Sequence, residues 1–166
     1  MKALARDVVA RPGVLVIAHR GASADAPENT LHAFRRALDA RADLVELDYH
    51  HTQNGEPYVF HDKTLERTTD AVTRWGRKRL AIADRSDHDL RELDAGTWFD
   101  PRFRGARIPH LGMALDVIQE GALTLIERKA GDAPTLLRLL ARRGCGERVV
   151  VQSFDWRFLA ACRAEN

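Results

Sequence analysis

The chain has 166 residues, of which 45% are hydrophobic and 30% charged, a composition typical of a globular protein with a single domain. Its 26 lysines and arginines nearly balance its 24 acidic residues, and the resulting net charge of +2 argues against a general nucleic-acid binder. The two cysteines, Cys145 and Cys162, fit no zinc or disulfide spacing, and no apolar run approaches the ~20 residues of a membrane span.

The N-terminal third predicts a β-strand, a helix and a second strand. Residues 14–18 form a short, β-branched apolar run, which predicts a buried strand. Apolar residues recur at helical spacing from Leu31 to Leu38, so we expect an amphipathic helix over residues 27–40. A second strand follows at residues 44–48. This order is a βαβ unit, which places the two strands parallel to each other.

The next segment departs from this alternation. Asn54-Gly55 between two strand-like runs is a strong hairpin signal, so residues 57–61 should run antiparallel to the second strand. Residues 63–107 are highly charged and lack a long period, which predicts short helices and loops. We therefore interpret residues 51–107 as a hairpin and an insertion within the domain.

Regular alternation resumes after the insertion. We expect three helices and two strands, with the helices over residues 113–119, 134–143 and 156–164 and the strands over 123–126 and 149–153. Alternating strands and helices of this kind predict the α/β class with a parallel sheet.

Acidic residues lie at the carboxyl ends of two predicted strands. Glu46 and Asp48 are two positions apart, so both carboxylates face the same side of a strand. Glu127 and Lys129 repeat this spacing on a later strand. Three convergent carboxylates would form an oxygen-rich site for a hard divalent cation. Each pair alone equally fits a strand that emerges into solvent.

Histidines and cations accompany these acids. His19 and His61 each follow an apolar run, and histidine is the side chain best suited to proton transfer near neutral pH. Either one could instead be an ordinary histidine at a strand edge. Arg20 and Lys129 add fixed positive charge that suits phosphate chemistry, or that simply pairs with the acids.

The order of the motifs along the chain is more specific than any one of them. The set comprises His19-Arg20-Gly21-Ala22-Ser23, Pro27-Glu28-Asn29-Thr30, Glu46-x-Asp48, Asn54-Gly55, His61-Asp62 and Arg67-Thr68-Thr69, then FRGARIP at 103–109, IERK at 126–129 and QSFD at 152–155. Over nearly all of residues 14–159 the chain resembles the glycerophosphodiester phosphodiesterase family.

This resemblance implies a TIM barrel with a small insertion after the second strand. It also implies metal-dependent hydrolysis of a small glycerophosphodiester to an alcohol and glycerol 3-phosphate. By this resemblance, Glu46, Asp48 and Glu127 would bind one divalent cation, Mg²⁺ or Ca²⁺. His19 and His61 would act as the general acid and base. Arg20 and Lys129 would bind the phosphate.

The length of the chain does not match a complete barrel. A TIM barrel takes about 250 residues, whereas we predict only four parallel strands and the hairpin strand. We therefore expect one C-terminally truncated domain over residues 1–166, with an open edge that allows self-association. The alternatives are a catalytically incomplete half-barrel, a phospholipase D-like lipid phosphodiesterase, and a binding module based on the basic cluster at residues 74–79.

The location of the protein is predicted from its N-terminal sequence and its cysteines. No secretory signal pattern follows Lys2 and Arg6, and the cysteines do not form a disulfide framework. We expect a cytoplasmic protein with a small-molecule substrate, no nucleic-acid partner and no membrane span.

Overall fold

Five β-strands form one sheet in the computed structural model, which describes residues 4–165. The predicted domain also includes residues 1–3, among them Lys2, and residue 166, which lie outside the described residues. The strands are β1 (Ile17–Ala18), β2 (Leu44–His51), β3 (Pro57–Val59), β4 (Leu123–Arg128) and β5 (Val149–Gln152). Four of them run parallel in the order β1-β2-β4-β5, and β3 pairs antiparallel with β2. Within the described residues the sheet does not close, because β1 and β5 remain its edges.

Helices alternate with the parallel strands, as predicted. They are α1 (Ala5–Val9), α2 (Leu31–Asp39), α3 (Ala71–Trp75), α4 (Asp87–Arg91), α5 (Leu111–Ile118), α6 (Ala133–Arg143) and α7 (Trp156–Ala164). The prediction that α2 begins at Pro27 was wrong by one turn. Its N-cap is Thr30, whose hydroxyl accepts a hydrogen bond from Ala33 N and donates one to Pro27 O, so residues 27–30 form a turn before the helix.

The first strand is shorter and more exposed than its sequence predicts. Only Ile17 and Ala18 pair with β2, and the side chains before them are open to solvent, with Val14 92% and Val16 58% exposed. The apolar run correctly indicated a strand, but the prediction that it is buried was wrong. Burial requires a neighbour on both sides, and among the described residues β1 has a neighbour on one side only.

Helices cover one face of the sheet and the amino end of the other. The odd-numbered side chains of β2, Val45, Leu47 and Tyr49, belong to the main core formed with the surrounding helices. On the opposite face, Leu44 and Leu123 pack against α1. Glu46, Asp48 and Glu127 lie towards the carboxyl ends of β2 and β4 on that same opposite face.

The predicted hairpin is present. The turn between β2 and β3 contains Gly55 in the left-handed region, with a φ of 82°. The segment that follows has a second hydrophobic cluster of its own, which includes Leu65, Leu80, Ile82 and Leu90. No helix among the described residues has both the length and the hydropathy needed to cross a membrane.

Candidate active site

Three carboxylates converge at the carboxyl ends of β2 and β4. The register pairs Asp48 directly with Glu127, and Glu46 lies two residues before Asp48 on the same face of β2. One potential ligand atom from each residue lies within 4.8 Å of the other two. Glu46 and Asp48 are 3% and 1% exposed, so these acids are part of the interior rather than the solvated end of a strand.

The buried carboxylate of Glu46 is only partly compensated. Burial, together with the negative charge of Asp48, raises the pKa of Glu46 to about 7, although its Oε2 accepts a hydrogen bond of 2.8 Å from Arg20 N. Its Oε1 is buried and has no hydrogen-bond partner among the described residues. A carboxylate in this condition is stabilised by a cation. The three acids therefore fit a hard divalent metal ion that prefers oxygen ligands.

Arg20 and Lys129 lie against these acids. The Nε of Arg20 is 3.4 Å from Asp48 Oδ2, and Nζ of Lys129 is 3.2 Å from Asp48 Oδ1 and also contacts Glu127. Burial alone would lower the pKa of Lys129, but the carboxylates of Glu127 and Asp48 raise it above its usual value. Both cations of the sequence prediction are thus at the site, where they pair with its carboxylates.

His61 is held by a carboxylate and His19 is not. Nδ1 of His61 lies 2.6 Å from Asp62 Oδ1. Hydrogen bonds from the Arg67 guanidinium, and then the His61 ring, lower the pKa of Asp62 to about 2 despite its partial burial. His19 is exposed, and its side chain makes no hydrogen bond to the part of the chain that the structure describes. The structure brings both histidines to the same end of the sheet.

A network of loop residues supports this site, and sequence analysis assigned it no role. Arg67 NH1 and NH2 donate to the two Glu28 carboxylate oxygens at 2.8 Å each, while Nε donates to Asp62 Oδ2 at 2.7 Å. Glu28 also accepts a hydrogen bond of 3.0 Å from Arg20 NH1. Asn29 hydrogen-bonds to Asp48. The signal in the sequence was their place in the ordered motifs, as Glu28, Asn29, Asp62 and Arg67 all belong to that set, but nothing in the motifs indicated that these residues contact one another.

A third histidine, His50, also lies near the site, and the sequence analysis assigned it no role. His50 is buried on β2, and its Nε2 lies 3.1 Å from the main-chain oxygen of His61. Burial lowers the pKa of His50, which favours the neutral imidazole that can donate this bond. His50 therefore positions the backbone that carries His61. Alternation along β2 places His50 on the face of Glu46 and Asp48, and that spacing could have indicated it.

Comparison with known proteins matches this arrangement to one family. Residues 19–166 match the profile of the Glycerophosphoryl diester phosphodiesterase family. The chain is 36% identical over 148 residues to a glycerophosphodiester phosphodiesterase of Caldanaerobacter subterraneus, a match that covers 85% of this chain and 58% of the relative. A protein of the same name from Bacillus subtilis is 32% identical over 161 residues, which cover 86% of this chain and 53% of the relative.

Solved structures show the same similarity. A glycerophosphodiester phosphodiesterase from Agrobacterium tumefaciens superposes with a TM-score of 0.83 at 33% identity, covering 92% of this chain and 64% of that one. A phosphodiesterase of Oleispira antarctica, in complex with the product sn-glycerol-3-phosphate, gives a TM-score of 0.82 at 30% identity and covers 91% of this chain and 62% of its own. The chain thus spans less than two thirds of these relatives, and its unclosed parallel sheet confirms the expected incomplete TIM barrel.

Proposed function

Because the chain belongs to the glycerophosphoryl diester phosphodiesterase family, we propose that it hydrolyses glycerophosphodiesters to an alcohol and glycerol 3-phosphate. The observation that carries this proposal is the convergence of three carboxylates within 4.8 Å, with the buried Glu46 Oε1 unpartnered among the described residues. The names of the relatives, and the sn-glycerol-3-phosphate bound by one structural neighbour, support the choice of substrate.

Glu46, Asp48 and Glu127 would hold one divalent cation, Mg²⁺ or Ca²⁺. When bound, such a cation supplies positive charge that stabilises the phosphoryl oxygens as the phosphodiester bond breaks. Carboxylate oxygens are the ligands that both ions prefer, and Gln152 Nε2 orients Glu127 through a hydrogen bond of 3.1 Å to Oε2.

Arg20 and Lys129 would bind the phosphate of the substrate. Both side chains form an ion pair with Asp48. Each also carries further N–H donors for a non-bridging oxygen of the phosphate. Because a guanidinium and an ammonium lie beside the same carboxylates, a bound phosphodiester would meet positive charge at the carboxyl end of the sheet.

His19 and His61 would act as the acid–base pair. One imidazole removes a proton from the attacking oxygen, which belongs to water or to the glycerol hydroxyl of the substrate, and the other donates a proton to the departing alkoxide. If the glycerol hydroxyl attacks, water then opens the resulting cyclic phosphodiester. For His61, Asp62 fixes the tautomer with hydrogen on Nδ1, which leaves Nε2 to exchange the proton. The exposed His19, in the loop that follows β1, is free to approach the substrate.

The remaining expectations stay part of the proposal. We propose one domain, in which residues 51–107 form an insertion that has its own hydrophobic cluster in support. The free thiols Cys145 and Cys162 support a cytoplasmic location. Self-association through the open edges of the sheet is supported by the exposed valines before β1.

One assay tests the reaction. Glycerol 3-phosphate release from glycerophosphocholine is measured with Mg²⁺ or Ca²⁺ for the wild type, for His19→Ala and for Glu46→Gln. We expect metal-dependent turnover in the wild type and a loss of at least about 100-fold in each variant. The control is Glu120→Gln, an exposed acid in the turn that precedes β4, at the amino end of that strand, whereas the site lies at the carboxyl end.

Metal binding measured by calorimetry separates the alternatives. If the folded chain binds the metal through Glu46 but has no turnover, the hydrolase proposal fails for this chain and the catalytically incomplete half-barrel takes its place. Turnover of lysophosphatidylcholine in preference to glycerophosphocholine would instead favour the related lipid phosphodiesterase.

A further inference from the structure

A second cavity lies outside the proposed active site, between the insertion and helices α2 and α5. Its volume is about 710 Å³, within the range of pockets that hold small organic ligands. None of the proposed catalytic, metal-binding or phosphate-binding residues lines it. We propose that this cavity binds a small organic anion with an apolar body, such as a short-chain alkyl phosphate or carboxylate.

The wall of the cavity is apolar, and its side chains are packed against neighbouring residues. Tyr58 and Ile108 are buried in the insertion cluster, and Pro109 is buried beside them, while Leu31 and Met113 line the cavity from the two helices. The hydroxyl of Tyr58 accepts a hydrogen bond of 3.0 Å from Arg91 Nε, which fixes this wall. Such a lining favours an alkyl chain or a ring over a free inorganic ion.

The charged groups around this apolar wall are predominantly positive. Arg35 is exposed, and its guanidinium has no hydrogen bond or ion pair with any residue in 4–165. Arg107 donates to the neutral main-chain oxygens of Glu92 and Leu93, at 2.7 and 3.1 Å, so no carboxylate compensates its charge. These two cations select an anionic head group.

The other charged groups leave the cavity net positive. The guanidinium of Arg91 lies 2.8 Å from Asp87, so these two charges offset each other. The lining carboxylate, Glu56, lies 3.2 Å from Nε2 of His110, a neutral ring because its Nδ1 accepts a hydrogen bond from Gly112 N. The single negative charge of Glu56 is thus outnumbered by the positive charges of Arg35 and Arg107.

Two helices also begin at this cavity. The N-cap of α2 is Thr30 and the N-cap of α5 is His110, and both residues line it. The positive ends of both helix dipoles therefore add to the field of Arg35 and Arg107. The cavity thus combines an apolar wall with unpaired cations and helix N-termini, which together suit an anion with an apolar body.

Calorimetry of the full chain with octyl phosphate, below its micelle concentration, tests this proposal. We expect saturable binding of one molecule per chain, and at least tenfold weaker binding of both 1-octanol and inorganic phosphate. Nonanoate, tested in parallel, identifies the head group. Equal binding supports any organic anion, and weaker binding supports a phosphate monoester.

Variants locate the binding site. Arg35→Gln should weaken octyl phosphate binding at least tenfold, and Met113→Trp, which fills the cavity from a half-exposed helix position, should do the same. Arg36→Gln, one residue further along α2 and outside the cavity, should have no effect. Arg20→Gln removes a cation of the proposed active site and should also leave this binding unchanged.

Three results would overturn the proposal. They are the absence of saturable binding to the folded chain, a loss of binding in Arg20→Gln but not in Arg35→Gln, and equal losses in Arg35→Gln and Arg36→Gln. The second of these would place the octyl phosphate in the active site. Because the binding assay needs no catalysis, failure of the proposed hydrolase activity leaves this test intact.

Discussion

Asn29 and Asp48 hold each other through two hydrogen bonds. The amide nitrogen of the Asn29 side chain donates to Asp48 Oδ2 at 2.9 Å, and Asp48 N donates to Asn29 Oδ1 at 3.3 Å. Both residues are almost completely buried. A loop residue thus fixes both the backbone and the side chain of a carboxylate on β2.

We expect Asn29→Ala to lower the free energy of unfolding by about 3 kcal/mol. The change removes the partner of the buried Asp48 N and leaves Asp48 Oδ2 with only the Arg20 Nε contact at 3.4 Å. It also places alanine in the left-handed region, because the φ of Asn29 is 56°. Asn29→Gly removes the same hydrogen bonds without the backbone strain and should cost about 1 kcal/mol less. Urea denaturation measures both values, and equal stability of the wild type and Asn29→Ala would contradict this role.

The contact between Asp62 and His61 should affect the rate rather than the fold. In Asp62→Asn the carboxylate that fixes the His61 tautomer is lost, and we expect kcat for glycerophosphocholine to fall about 100-fold. The exposed insertion residue Asp84 provides the matched control, Asp84→Asn, which should keep wild-type activity. If both variants retain full turnover, Asp62 does not position the catalytic histidine.

Gly131 is required by the close approach of His51. A Cβ atom at this position would lie 2.4 Å from the His51 ring, and the φ of Gly131 is 114°, which side chains rarely adopt. We expect Gly131→Ala to destabilise the protein by about 2–3 kcal/mol in urea denaturation. Gly146→Ala, where the Cβ meets nothing within 4 Å, should cost less than 1 kcal/mol. Similar losses in the two variants would show that steric contact is not the cause.

Asp94 should make stability depend on pH in the acid range. Burial alone would raise its pKa, but the backbone N–H groups of Thr97, Gly105 and Gly96 lower it to about 2. The unfolded chain therefore binds a proton at Asp94 before the folded protein does. Stability from this group is complete above pH 4 and is lost as the pH falls towards 2.

Asp94→Asn tests this titration. The variant should be about 2 kcal/mol less stable than the wild type at pH 7, and the difference should shrink between pH 4 and 2. Asp25→Asn, at an exposed site with no side-chain hydrogen bond within residues 4–165, should match the wild type throughout. A difference for Asp94→Asn that stays constant down to pH 3 would refute the assignment.

The exposed valines at the β1 edge should promote self-association. We expect light scattering after size exclusion to show a mass of at least two chains at ~100 µM, because no strand within residues 4–165 covers the apolar run before β1. The double variant Val14→Lys and Val16→Lys should elute as a monomer, whereas Met113→Lys, on a different surface, should behave like the wild type. A monomeric wild type at this concentration would remove the self-association proposal.

The spacing of apolar residues predicted most of the secondary structure, because it reflects which side chains are buried. The alternation that placed Glu46 and Asp48 on one face of β2 holds in the structure, and the register with β4 adds Glu127. Element boundaries shifted by a few residues where a cap decided them, as at Thr30. The exposure of Val14 could not be predicted, because it depends on which strands lie beside β1.

The support of the site was beyond local patterns. Arg20 and Asn29 both adopt left-handed backbone conformations, with φ of 60° and 56°, and these turns direct the loop back to β2. Asparagine is enriched in this region, so Asn29 carried a signal for such a turn, whereas Arg20 carried none. The contacts of Glu28 with Arg67 span 39 positions along the chain, and no short-range pattern encodes them.

The Arg67 side chain has an evolutionary consequence. It is 44% exposed, yet it joins Glu28 and Asp62 from two separate loops. Loss of the arginine would leave two partly buried carboxylates without their shared cation. Loss of one acid would change how much the contact between Arg67 and the other acid contributes to stability. Substitutions at these three positions should therefore be epistatic, and this surface position would tolerate as little independent drift as a residue in the core.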